Sequence, residues 1–214
     1  MFILGGSDAQ DNFSKRVQLF AEYRIFLEKA PMIGKRAFFP SLTMSFQEKE
    51  KDGSLPGADL VFVFGGHDGE NDLETCEQYS IRENLWRSIE PMKNKRNGAS
   101  VVSFDKVIFI FGGNNQFQGS MDTIERYSVE FDKWAVINLK LREPVHDTIS
   151  FPVGGRRVLI FGGSFADGNP NTYWQIYDLT SECLIEDQDK IKFEGGKIYL
   201  PPVFDPDENK LHFF

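Results

Sequence analysis

Three histidines, two cysteines and 32 carboxylates are the groups with which this 214-residue chain could ligate a metal or move a proton. A copper, iron or zinc centre needs several such ligands converging on one point. His67 stands in a His-Asp-Gly loop, His146 opens a strand-like segment, and His212 lies within another. These are three different places in the local pattern, so no metal site and no cofactor are expected. Cys76 takes the same slot as Ile124 and Trp174, which reads as a buried apolar residue, while Cys183 falls at a turn and is expected to be more exposed; the two do not suggest a redox pair. Glu77 and Glu125 recur in register, which marks them as structural. Asp72 and Asp122 sit in loops without an evident partner. No glycine-rich loop opens a helix to cradle a phosphate. The chain is therefore expected not to be an enzyme.

Residues suited to recognition are easier to find. Phe117, with Gln118 beside it, lies in the polar segment NNQFQGSM (114–121), and Phe165 lies in SFADGNPN (164–171). An aromatic in a Gly/Asn-rich loop has the composition of an interaction hot spot. The same ring could instead fold back and cap its own sheet. Arg36, Arg96 and Arg142 each precede a strand-like segment. Two roles are open to them: a cationic cluster reading an acidic peptide by bidentate contacts, or buried braces paired with acids and carbonyls.

Charge and composition narrow the partners. A net charge of −8 argues against nucleic acid, whose phosphates require a basic footprint. No apolar stretch approaches the ~20 residues of a membrane span, and no signal peptide is recognisable. Two cysteines do not make a disulfide framework, so a cytoplasmic setting is expected. The 21 phenylalanines, with valine and isoleucine, favour strands over helices.

The elements that position these residues come from a repeat. Four apolar runs end in glycine pairs: Gly5-Gly6, Gly65-Gly66, Gly112-Gly113 and Gly162-Gly163. Each is followed at near-constant distance by an aromatic (Phe20, Tyr79, Tyr127, Tyr177), and then by a large apolar residue (Leu27, Trp86, Trp134, Leu184). A period of roughly fifty residues reads as a propeller, solenoid or array. The third copy divides into strands a (Gly98–Phe104), b (Lys106–Gly113), c (Asp122–Val129) and d (Lys133–Asn138), with a tight a–b hairpin at Asp105-Lys106. Along strand c, Cys76 and Ile124 stand three residues before Tyr79 and Tyr127. Alternation places the two members of each pair on opposite faces, so strand c must be covered on both sides.

The full pattern resembles the kelch repeat. Its carriers are Gly65-Gly66, Glu77-x-Tyr79, Trp86, Pro91-Met92 and Arg96, then Gly112-Gly113, Glu125-x-Tyr127, Trp134 and Arg142. The copy at Gly162-Gly163 keeps Tyr177 but has Gln175 and Leu184; the first has Gln18, Phe20, Leu27, Pro31-Met32 and Arg36. The resemblance implies an all-β fold, a β-propeller of four-stranded antiparallel blades. About four kelch-like blades are expected, at approximately 1–35, 36–92, 93–140 and 141–190, with a partial one at 191–214. The first lacks strand a, and KIYLPPVF (197–204) and NKLHFF (209–214) resemble a final a and b, so an open or partial propeller is expected. The charged insert QEKEKDGSLPGA (47–58) reads as a solvated loop. The implied function is a non-catalytic scaffold or adaptor that binds a partner protein through loops on a propeller face. The resemblance also admits an actin or other cytoskeletal partner, a ubiquitin-ligase-related one, and a galactose-oxidase-like metal enzyme.

Overall fold

Each apolar run before a glycine pair is a β-strand, and the polar residues after it carry the chain across to the next. A computed structural model describes residues 1–20, 26–47, 57–189, 203–205 and 210–212. The described residues contain strands and turns and no helix. The first sheet holds β1 (Phe2–Leu4), β2 (Val17–Phe20) and β3 (Phe26–Glu28), in that order. The second runs β4 (Ser41–Gln47), β5 (Gly57–Phe64), β6 (Cys76–Ser80) and β7 (Leu85–Ile89), again in chain order. The third contains β8 (Ser100–Phe104), β9 (Val107–Phe111), a short β10 (Asn114–Asn115), β11 (Gly119–Ser128) and β12 (Lys133–His146). In the fourth, β13 (Ile149–Pro152) and β14 (Arg157–Phe161) precede β16 (Tyr173–Asp178) and β17 (Cys183–Asp189); the intervening β15 (Ser164–Phe165) pairs with β12. All these pairings are antiparallel.

The sheets stack face to face, and the core lies between them. Tyr79 and Trp86 of the second sheet meet Val17 of the first and Met32 of the connector that follows it. Cys76, on the other side of β6, belongs with Ile108, Tyr127 and Trp134 of the third sheet. Ile124, on the far side of β11, packs with Val158, Ile160 and Tyr177 of the fourth. The two-sided burial expected of strand c is thus the means by which one blade joins two neighbours. Each large side chain taken fully out of water, such as Phe62 or Phe111, contributes about 1.5–3 kcal/mol. The first strands of the blades line a shared central cavity of about 720 Å³, bordered by Leu4, Pro40, Ser100 and Thr148. Among its lining residues Gly98 N donates to Phe38 O (2.7 Å) and Asp147 N donates to Gly98 O (2.6 Å), linking successive blades. Among the described residues the sheets form part of a propeller, with no closed barrel.

One strand departs from expectation. Strand d of the third blade was expected to end at Asn138 but continues as β12 to His146. Pro31-Met32 and Pro91-Met92 break the other blades here, whereas Leu139, Leu141 and Val145 keep strand alternation and are all buried. Register shifts between Met121, Thr123 and Glu125 absorb the change. Most of the 47–58 insert lies outside the described residues, as does most of the expected final blade. Within that blade, β18 (Val203–Asp205) and β19 (Lys210–His212) form an antiparallel pair.

The first glycine of each pair has a left-handed backbone, with φ +55° at Gly65 and +68° at Gly162. A Cβ on Gly65 would run into the Arg96 carbonyl oxygen and lie 2.7 Å from Met92 Cε, whereas one on Gly162 meets nothing within 4 Å. Gly162→Ala should therefore cost only the left-handed penalty, about 1–2 kcal/mol. Gly65→Ala should cost at least ~2 kcal/mol more, because the next blade's connector must also move. Urea midpoints of the two variants check this; equal losses would refute it.

Candidate partner-binding site

The loops that reach the propeller face are held by the connectors between blades, and each connector is anchored by a buried arginine. The Arg36 carbonyl accepts from Gly6 N (2.9 Å) in the first blade. Its guanidinium crosses to the second, donating to Gly65 O (2.8 Å), Thr75 O (2.9 Å) and Glu77 Oε1 (2.5 Å). Glu77 in turn accepts from Ile33 N (2.7 Å) and Gly34 N (2.9 Å). One blade on, Arg96 repeats the arrangement: Gly112 O (2.7 Å), Thr123 O (3.3 Å) and Glu125 Oε1 (2.7 Å) accept from it. Glu125 receives Lys93 N (2.8 Å) and Asn94 N (3.1 Å). Burial lowers the pKa of Arg96, and the Glu125 carboxylate opposes that shift. Arg96 is fully buried, so it is not presented to a partner; a surface role for it is corrected to a brace, because both of its terminal guanidinium nitrogens donate inside the protein.

Arg142 is not the third member of this series. Gly113 N donates to Val145 O (2.9 Å), just as Gly66 N donates to Arg96 O (2.9 Å), so Val145 takes the brace position. Arg142 instead matches Ile33 and Lys93: its backbone N donates to Gln175 Oε1 (3.0 Å) and Tyr177 Oη (3.1 Å). Its exposed side chain lies over the Tyr173 ring, 4.4 Å from the centroid. Gln175 takes the position that Glu77 and Glu125 hold in the other blades. With no guanidinium to compensate, a neutral amide meets the same backbone donor.

A second tie runs along the outer edge of the blades. Trp86 Nε1 donates to Ala30 O (2.8 Å), and Trp134 Nε1 to Glu90 O (2.7 Å). Asn84 Oδ1 accepts from Ala30 N (2.9 Å) and Tyr79 Oη (2.6 Å); Asp132 Oδ1 accepts from Glu90 N (2.8 Å) and Tyr127 Oη (2.7 Å). Burial, then the bond to Asp132, raises the pKa of Tyr127, so its hydroxyl stays a donor. Sequence reasoning missed Asn84 and Asp132, although a polar residue two places before each tryptophan was a readable signal. In the fourth blade Leu184 replaces tryptophan and is 40% exposed, so this tie is lost.

The candidate loop residues separate on this frame. Phe117 is 76% exposed. Its loop is nevertheless fixed: Asn115 Oδ1 accepts from Phe117 N (3.0 Å) and Gln118 N (2.8 Å), and Asn115 Nδ2 donates to Lys95 O (2.9 Å). Gln118 is exposed beside it. Phe165 is half-buried, packs on the core between the third and fourth blades, and meets Tyr173 with ring centroids 6.0 Å apart. Asp72, expected to lack a partner, is buried and accepts from Asn97 Nδ2 (2.6 Å) and Gln116 N (2.7 Å). It ties the second blade's loop to the loop that carries Phe117. Asp122 accepts from Lys140 Nζ (2.8 Å) at the surface.

Among the described residues, the groups suited to metal or nucleophile chemistry stay apart. His67 Nδ1 accepts from Gly69 N (3.0 Å), and His146 Nδ1 lies 2.9 Å from Ser120 Oγ. Among the described residues no three of His, Cys, Asp and Glu gather as a metal-binding group. Cys76 is buried and Cys183 exposed. Burial pushes the Cys76 thiol up to about 12.

Stacked four-stranded blades with glycine-ended inner strands and buried cross-blade braces define a propeller repeat protein. The family model described as the Kelch motif matches residues 57–93 and 95–138, so this part of the chain carries two kelch motifs. Among curated proteins it is similar to Kelch repeat-containing protein kel-10 of Caenorhabditis elegans, 26% identical over 66% of this chain and 23% of that protein. Kelch repeat and BTB domain-containing protein F47D12.7 of the same organism is 28% identical over the same shares. Kelch-like protein 7 of Rattus norvegicus is 30% identical over 47% of this chain and 17% of that protein. The chain thus spans about a quarter or less of the length of these relatives.

Removing one partner of the Arg96–Glu125 pair should be severe, since an uncompensated buried charge costs about 3–5 kcal/mol. Arg96→Met alone should lose that much, while Arg96→Met with Glu125→Gln should lose at least ~1 kcal/mol less than the two single losses combined. Denaturant unfolding of the four proteins measures the coupling, and strict additivity would refute the brace. Thiol labelling under native conditions should modify Cys183 rapidly and Cys76 only after unfolding; equal native rates would contradict the buried position of Cys76.

Proposed function

We propose that this chain is a non-catalytic protein-interaction module that receives a partner protein on the face carrying the loops after each glycine pair. The observation that carries this reading is Phe117, a 76%-exposed aromatic on a loop held by Asn115 and Asp72. A large apolar ring presented on a pre-organised backbone binds with little further loss of conformational entropy. Gln118 beside it supplies donors and an acceptor. Kelch-repeat relatives, some also named for a BTB domain, support a scaffold or adaptor role. Two unpaired cysteines suit a reducing compartment.

Phe117→Ala should change stability by no more than ~0.5 kcal/mol, as expected for an exposed site. Partner capture should fall by about tenfold or more, the loss of a hot-spot aromatic. Crosslinking capture from cell extract, with the same proteins quantified for wild type and variant, tests this. Unchanged capture would overturn the reading.

A further inference from the structure

Because β12 runs on past the expected end of its blade, it passes beside the loop that follows Gly162-Gly163 in the fourth blade. A cavity of about 390 Å³ opens there, lined by Glu143, Pro144, Phe165, Ala166, Asp167 and Tyr173. Its half-buried part is aromatic, with Phe165 and Tyr173 tilted 60° to one another. Its exposed part carries two carboxylates, Glu143 and Asp167. Asp167 is held in place by Asn169 N (2.9 Å) and Asn169 Nδ2 (2.7 Å), and neither carboxylate is ion-paired among the described residues. The Tyr173 ring already takes one cation, the Arg142 guanidinium at 4.4 Å, well inside the reach of a cation–π contact.

The geometry points to a pocket for a basic side chain, lysine or arginine, of a partner protein. The apolar stem would lie along Phe165, Tyr173 and Pro144, and the charged head would reach the two carboxylates. Long basic side chains divide in this way between apolar surface and water. The chain's net charge of −8 favours the approach of basic segments. An apolar anchor would fill the rings but leave both carboxylates unused, and an acidic one would be repelled by them. The inference rests on the proposed partner-binding role of this loop face and names the chemistry that one part of it selects.

The test is a titration of isotope-labelled protein with the blocked peptide Gly-Gly-Lys-Gly-Gly, followed by amide NMR shifts. Saturable shifts are expected at Glu143, Ala166, Asp167 and Tyr173. A peptide with norleucine in place of lysine should bind at least about fivefold more weakly, consistent with loss of a charge-assisted contact. The Glu143→Gln/Asp167→Asn variant should weaken lysine binding similarly and leave norleucine unaffected. Equal binding of the two peptides to the unaltered protein, or absence of shifts at these amides, would overturn the pocket whether or not the double variant folds. Phe117→Ala should leave the lysine titration unchanged. Loop-face binding can thus fail while the pocket stands, and the pocket can fail while Phe117-dependent capture stands.

Discussion

A sheet of four short strands has two apolar faces and no interior of its own, so every blade depends on the stacking of its neighbours. That constraint explains why both sides of the c strands are apolar. Cys76 and Ile124 face one way and Tyr79 and Tyr127 the other, each filling a different inter-blade core. It also explains the glycine pairs. At Gly65 the end of the b strand approaches the connector of the neighbouring blade so closely that a β-carbon would strike its backbone, and the left-handed φ recurs at all four first glycines.

Apolar stacking alone does not set how one blade is turned against the next. The buried arginines do, by accepting a backbone N–H into one blade through their carbonyl and donating into the other through their guanidinium. Burying such a charge has a large desolvation penalty, and the geometry meets it with a carboxylate and backbone carbonyls. Where the fourth blade meets the third, Val145 and Gln175 stand in place of arginine and glutamate. That interface relies on a longer strand, a strand exchange through β15, and a larger apolar cluster. Loss of the arginine and loss of the glutamate are two sides of one change.

The same departure created the surface most suited to a specific ligand. An uninterrupted β12 brings Glu143 and Pro144 alongside the loop of the following blade. There Phe165 packs inward while Asp167 faces water. On the neighbouring blade the conventional turn at Pro91-Met92 is kept, and the loop at Asn115 instead holds Phe117 outward. Two adjacent loops of the same repeat position therefore present different chemistry, one apolar and protruding, the other acidic and concave.

Much of this was legible in the chain. The repeat supplies its own internal comparison, so the glycine pairs, Tyr79, Tyr127, Tyr177, Trp86 and Trp134 marked strands and core positions without reference to contacts. The arginine series was misread at Arg142, because counting from landmarks assumes a constant connector and the one after Trp134 had become strand. Asp72 could not be assigned a partner, since its donors lie on the next blade. The amino-acid sequence by itself determined the blades, their strand order and which faces are apolar, because these follow from local periodicity. Only the tertiary structure decided which charges are buried as braces, which aromatic is offered to solvent and where an acidic pocket forms. Those outcomes depend on how separate blades meet, and no spacing within one blade encodes that distance.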